Sequence, residues 1–177
     1  MKFRKKAMMT ATVLMAAGML AACGTKASQT SKKNLNLMLT GEVESLDNSN
    51  VATLPQWNVL EQTMEGLYRA DKNNNPAPAM ATKVVKPTNH GKTYTFHLRK
   101  NAKWSNGDPV TAQDFVNSWR RSAGPTARSG YNYIFTGIKN ASQVSAGKLP
   151  ASALGVKALN KHTLQVNLEY AMPYFNK

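Results

Sequence analysis

Thr93-Tyr94-Thr95-Phe96-His97-Leu98-Arg99 alternates from end to end. Tyr94, Phe96 and Leu98 fall on one side of an extended chain, and Thr95, His97 and Arg99 on the other, the period of a half-buried strand. Upstream, Ala81 to Lys86 has strand character, and Pro87-Thr88-Asn89-His90-Gly91 supplies a turn of about five residues, so the two segments are expected to pair as a hairpin. Downstream, Asn106-Gly107-Asp108-Pro109 is a turn. Thr111 then reads as a helix N-cap, with Asp114 near the positive end of the helix dipole. Phe115, Val116 and Trp119 share a helical face. Arg120 and Arg121 sit in the last turn, where cations complement the dipole, and Gly124-Pro125 stops the helix.

Further from this centre the pattern repeats. Val156 to Leu159, the turn Asn160-Lys161-His162, and Thr163 to Leu168 read as a second hairpin, with Leu164, Val166 and Leu168 on one face. Asn140 to Gly147 reads as a short helix, and Tyr131 to Phe135 is an aromatic cluster with no assigned structure. Toward the N-terminus, Leu35 to Leu39 reads as a strand and Glu42 to Asn50 as a loop. Pro55 opens a helix whose Trp57, Leu60, Met64 and Leu67 share one face, with Gly66 at its end. Leu67-Tyr68-Arg69 begins an extended piece, and Asp71 to Pro78 is turn chemistry without a strand. Two hairpins with intervening helices define an α+β unit.

The 177 residues are 42% hydrophobic, enough for a packed core. The single cysteine, Cys23, excludes an internal disulfide and a multi-cysteine zinc site. The formal charge of +14 invites a nucleic-acid reading, but its distribution argues otherwise. Lys2, Arg4, Lys5 and Lys6 precede an uncharged, mostly apolar run from Ala7 to Leu20, which is shorter than the roughly 20 residues of a membrane span and fits a secretory signal. Removing those four basic residues lowers +14 to +10, and setting aside Lys26, Lys32 and Lys33 leaves about +7, an ordinary solvated surface. Tyr94 and Phe96 share their face with Leu98, so they read as core and not as a base-stacking platform.

No constellation for catalysis emerges. His90 and His162 lie in turns and His97 on the outward face of a strand, and no Gly-x-Ser-x-Gly elbow is present. Glu42 and Glu44 form the best carboxylate pair and sit in a loop, while Asp108 and Asp114 are accounted for by turn and cap. Metal-ligand spacings and Gly-rich phosphate loops are absent from the sequence. The reading is of a non-enzymatic chain with no cofactor, no metal and no nucleic-acid partner.

Two resemblances extend this. Leu20-Ala21-Ala22-Cys23 resembles the lipobox of bacterial lipoproteins. It implies a signal peptide over 1–22, a lipid on Cys23 and a flexible tether over 23–34, close to the membrane surface. Separately, Gly91 to Arg99, Trp104-Ser105-Asn106-Gly107, Pro109 to Ala112, Asp114-Phe115-Val116 and Ser118-Trp119-Arg120 resemble the peptide-binding lipoproteins of ABC importers. These are the extracellular solute-binding proteins of the dipeptide, oligopeptide and nickel type. Glu44 to Asp47, Glu65 to Tyr68, Gly155 to Ala158, His162 to Val166 and Pro173 to Phe175 agree in the same order, so the likeness covers Leu35 to Phe175. Asn48 stands where the family often has proline.

The resemblance implies part of a periplasmic-binding-protein-like type II fold. Residues 35–66 would start lobe I, 67–170 would be the inserted small lobe, and 171–177 would return to lobe I and stop. The chain is therefore expected to be an N-terminal fragment, about one third of a full relative. The implied ligand is an oligopeptide held through its main chain, and the implied partners are the transmembrane permease subunits and, through lipid, the bacterial cell membrane. Thr53, Leu54, Gln56 and Trp57 match the lobe I segment that lines the peptide. Tyr131 and Tyr133 match the aromatic region of the inserted lobe facing the cleft. The same fold could serve a peptide pheromone or a nickel chelate. A surface lipoprotein without transport, or an inactive fragment, is the rival of a different class.

Overall fold

The computed structural model describes residues 36–127 and 130–176. The segments expected to be a signal peptide and a tether, with Cys23, and Leu35 lie outside the described residues. The main compact unit begins at Leu39.

Its centre is a three-stranded antiparallel sheet in the order β3-β5-β4, formed by β3 (Thr93–His97), β4 (Val156–Asn160) and β5 (Thr163–Asn167). The alternation read from the sequence sets the pairing. Tyr94 lies opposite Val166 and Phe96 opposite Leu164, and all four are almost completely buried. Each large apolar side chain removed from water in this way contributes about 1.5–3 kcal/mol. The hairpin of β4 and β5 turns through Lys161 and His162, where the Asn160 side chain accepts from the His162 N–H at 3.0 Å.

Helix α2 (Ala112–Ala123) covers this sheet, contributing Ala112, Val116 and Ala123 to the core, with Phe115 and Trp119 packed at its margin. Its start is the expected one. Thr111 is extended, and its backbone N–H donates to Asp114 Oδ2 at 2.6 Å, one half of a capping box. Gly124 ends it. The short helix α3 (Ala141–Ser145) buries Ala141 and Val144 against the same core. Between α2 and α3 the aromatic cluster forms a single 3₁₀ turn, Asn132–Phe135, with no buried residue.

Three expectations are corrected. Ala81 to Lys86 forms no strand, and the main partner of β3 is β5. The two segments touch only at their ends: Ala81 bridges Leu98, and Thr88 bridges Thr93. In between, the chain bows away because Pro87 has no N–H to give, and the Val85 N–H donates to the Tyr68 hydroxyl at 2.9 Å while its side chain enters the core.

Asp71 to Pro78 is not only a turn. It closes a hairpin in which β1 (Tyr68–Ala70) pairs with β2 (Pro76–Pro78). Asp71 Oδ1 accepts from the N–H groups of Asn73 and Asn75, and Asn74 sits in the left-handed region at φ 59°, which asparagine tolerates. Two prolines are compatible with so short an edge strand, since an edge leaves half its N–H positions unpaired.

Residues 36–39 form no strand. Met38 is 99% exposed.

The last described residues lie on the sheet's core. The Tyr94 hydroxyl donates to the Met172 carbonyl at 3.1 Å, the rings of Tyr94 and Phe175 are 4.8 Å apart, and Asn176 Nδ2 donates to the Val85 carbonyl at 2.6 Å.

Candidate functional site: an aromatic wall beside a cleft

Helix α1 (Leu54–Thr63) positions the first group of candidate residues. Thr53 is its extended N-cap and Pro55 lies in its first turn, where a missing N–H is harmless. Gln56 is buried, and its Oε1 accepts from the N–H groups of Ala52 at 3.2 Å and Thr53 at 3.1 Å. Gln56 thus supports the turn from beneath while Thr53 and Leu54 face outward, Leu54 being 68% exposed. The helix is shorter than its apolar spacing implies. Met64 is already an extended C-cap and exposed, so Leu60 alone of the expected stripe of four is fully buried.

Trp57, half-buried in the first turn of α1, meets Tyr131 edge to face, with ring centroids 6.2 Å apart and planes at 86°. Tyr131 in turn lies 6.0 Å from Tyr133, which is 63% exposed. Three of the six candidate lining residues, from segments more than 70 positions apart, therefore form one aromatic row, with Thr53 and Leu54 presented from the segment that carries Trp57. Such a row offers π-faces and apolar edges to a ligand and no acid–base pair. Among the described residues, no cluster of three His, Cys, Asp or Glu is placed to hold a metal, and no helix is long and apolar enough to cross a membrane.

Behind the row lies a cleft of about 740 Å³ between α1 and α2, lined by Trp57, Leu60, Met64, Trp104, Phe115 and Trp119 among others. A second depression, of about 430 Å³ beside the β1-β2 hairpin, shares only Trp119 with it.

Polar contacts tie the loop before α1 to the last turn of α2. The Arg121 guanidinium donates to both carboxylate oxygens of Asp47. Asp47 also accepts from the Ser49 N–H at 3.1 Å and from the Asn50 side-chain amide at 2.6 Å. The Arg121 hydrogen bonds, aided by those from Ser49 and Asn50, hold the Asp47 carboxyl well below the usual carboxylate range, against the opposing effect of burial, and Asp47 raises Arg121 in return. Ser49 Oγ and Ser122 Oγ are 2.8 Å apart, and Ser49 and Val51 are fully buried. Arg121 is identifiable in the sequence only as a helix-end cation and Asp47 only as a loop residue. Their pairing spans 74 positions and leaves no local signal.

The described residues thus present an aromatic row beside a cleft. Residues 75–177 match the family described as "Bacterial extracellular solute-binding proteins, family 5 Middle", and the chain belongs to that family. It is 47% identical over 138 residues to the periplasmic oligopeptide-binding protein OppA of Salmonella typhimurium, covering 77% of this chain and 25% of that protein. It is 41% identical over 173 residues to OppA of Escherichia coli, covering 97% and 31%. Among solved structures, Listeria monocytogenes OppA bound to peptide superposes with a TM-score of 0.76 at 43% identity, over 80% of this chain and 28% of that one. The pheromone receptor PrgZ superposes at 0.73 and 41% identity, over 76% and 26%. The chain thus spans about a quarter to a third of the length of these relatives. The family is a solute-binding family, not an enzyme family.

Proposed function

We propose that this chain supplies part of the peptide-binding surface of a lipid-anchored, non-enzymatic binding protein that captures extracellular oligopeptides for an ABC importer. The observation that carries this reading is the meeting of Trp57 with Tyr131 and Tyr133, beside the exposed Thr53 and Leu54. Aromatic faces beside the exposed first turn of α1 suit a ligand lying along the row, and a grip on its main chain would be sequence-tolerant because every peptide presents the same main chain. Gln56 serves this surface from below by fixing the turn. In this reading, residues 35–66 belong to lobe I, 67–170 to the inserted lobe and 171–177 to the return, and the captured peptide passes to permease subunits.

Residues 1–22 are in this proposal a secretory signal, Cys23 the lipidated residue and 23–34 the tether. Acyl chains provide the anchor, since the few tether lysines are too weak to hold a protein at a bilayer. A Cys23→Ala chain should fail to incorporate a labelled fatty acid. Incorporation that persists would overturn the anchor.

A peptide mixture carrying a photoreactive phenylalanine analogue tests the binding surface. Crosslinks should concentrate on 53–57 and 131–133. Crosslinks scattered elsewhere, or confined to the depression beside β1 and β2, would contradict the proposal. The likeness to a pheromone receptor supports a second reading, in which one signalling peptide is preferred over all others. A mixed library competed by no single sequence would exclude it.

A further inference from the structure

The aromatic row is assembled from two segments, and one element stands between them. The last turn of α2 carries Arg121 and Ser122. Arg121 grips Asp47 with both guanidinium arms, and Ser122 Oγ lies 2.8 Å from Ser49 Oγ. Six residues beyond Asp47 the chain reaches Thr53, the N-cap of the helix that carries Trp57. Ten residues beyond Arg121 it reaches Tyr131. The intervening stretch on the Asp47 side is tied down at nearly every residue. Ser49 N and Asn50 Nδ2 donate to the Asp47 carboxylate, Asn50 N donates to the Asp47 carbonyl at 2.8 Å, Val51 is buried, and Ala52 N and Thr53 N donate to Gln56.

We propose that Asp47 and Arg121, seconded by Ser49 and Ser122, are positioning residues that set the distance between Trp57 and the tyrosines of the candidate peptide surface. The inference rests on the reading of that surface as the binding site, but the geometry it asserts exists without a ligand. Two features favour positioning over general stabilisation. A bidentate arginine–carboxylate pair fixes orientation as well as distance, which a single-point ion pair does not. The pair is also solvent-accessible, with Arg121 54% and Asp47 30% exposed, and accessible pairs contribute little to global stability. Among the described residues, the ion pair of Arg69 with Glu65 joins residues four apart and spans no two segments of the row.

The test is a nuclear Overhauser measurement between the Trp57 indole and the Tyr131 ring in the isotope-labelled full chain, without peptide. Arg121→Gln should weaken this cross-peak at least twofold while the β3-β5 cross-strand peaks remain. Arg121→Lys, which keeps the charge but loses the fork, should restore it only in part. Arg69→Gln should leave it unchanged. If Arg121→Gln does not fold, Ser122→Ala removes the second contact alone and should weaken the peak by a smaller factor. An unaltered cross-peak in whichever of Arg121→Gln and Ser122→Ala folds, or equal loss in Arg69→Gln, would overturn the proposal. Because no ligand is present, failure of the peptide-binding reading would leave this result standing.

Discussion

The sheet with α2 and the segment running from Asp47 through α1 are held together in opposite ways. The sheet is a dry interior, in which Tyr94, Phe96, Leu164 and Val166 face each other across paired strands and α2 closes over them. The α1 segment buries Ser49, Val51, Gln56 and Leu60, but otherwise it relies on one ion pair, a serine contact and a cap, and it leaves Leu54, Trp57 and Met64 wholly or partly in water. The difference teaches where stability ends and availability begins. Side chains that fold the domain are spent in its core, and the residues best placed to meet a ligand are those the core does not use.

The sharpest way to break this contrast is to hollow the sheet. Phe96→Ala should destabilise the chain by about 3–5 kcal/mol, as for other buried aromatics, and abolish cooperative unfolding in urea. Trp57→Ala, removing a residue of similar bulk from the aromatic row, should shift the urea midpoint far less. Equal losses would show that the row is core after all.

A second probe asks how tightly the sheet's margin is packed. A Cβ at Gly155 would fall 2.6 Å from the Asn167 carbonyl oxygen and 2.7 Å from Lys139 Cβ. Backbone cannot step aside there, because the Gly155 N–H donates to Lys139 O and the Asn167 N–H to Gly155 O, both at 2.8 Å. Gly155→Ala should cost about 1–3 kcal/mol, the range for overpacking. By contrast, a Cβ at Gly137 would meet only the flexible Met172 side chain, so Gly137→Ala should be milder. The thermal midpoints of the two variants rank them.

The caps offer a smaller comparison. Asp114→Ala and Gln56→Ala each remove the side chain that accepts from the N-cap backbone, in α2 and α1 respectively. Each should cost about 1 kcal/mol of local stability, the usual scale of a lost cap. Hydrogen exchange should show the loss confined to α1 for Gln56→Ala. For Asp114→Ala it should spread into the sheet that α2 covers.

The smallest expected effect is that of pH. Asp47 is held below its unfolded value, so its contribution is complete above the ordinary carboxylate range of about 3.9 and is lost as pH falls from there toward its lower folded value. Its charged and polar neighbours are Arg121, Ser49 and Asn50, so no second titrating group offsets it. As pH falls from 6 to 3 the folded Asp47 stays ionised, so the Trp57–Tyr131 contact should hold in the wild type, while the stability advantage over Asp47→Asn should begin to narrow below about pH 3.9. A stability difference between wild type and Asp47→Asn that stays constant from pH 6 to pH 3 would show that the ionisation of Asp47 is not linked to folding.

How much could be read in advance follows the same division. Strict alternation in Thr93 to Arg99 and Thr163 to Leu168 specified both strands and their buried faces, and Thr111 with Asp114 specified the start of α2. The segment nearest β3 in sequence looks like its strand partner, because nothing local reports that Val85 gives its N–H to Tyr68. The hairpin of β1 and β2 was obscured by the two prolines. In the candidate site, the lining residues came from family resemblance, and the structure brings Trp57, Tyr131 and Tyr133 into one row. The Asp47–Arg121 clamp was invisible because each residue has a sufficient local explanation, loop polarity for one and helix-end charge for the other.

The central claim is that the aromatic row is one wall of a peptide site. Titration of the labelled full chain with a mixture of short oligopeptides, followed through the Trp57 indole and the Tyr131 and Tyr133 ring signals, tests it most directly. The account predicts saturable but weak shifts on those three residues, with a dissociation constant near ~1 mM (about −4 kcal/mol), because a chain spanning about a quarter of its relatives supplies one wall only. Trp57→Ala should abolish them. Shifts centred on Phe135 and Phe175 in the other depression, no shifts at all, or tight binding that survives Trp57→Ala would contradict it.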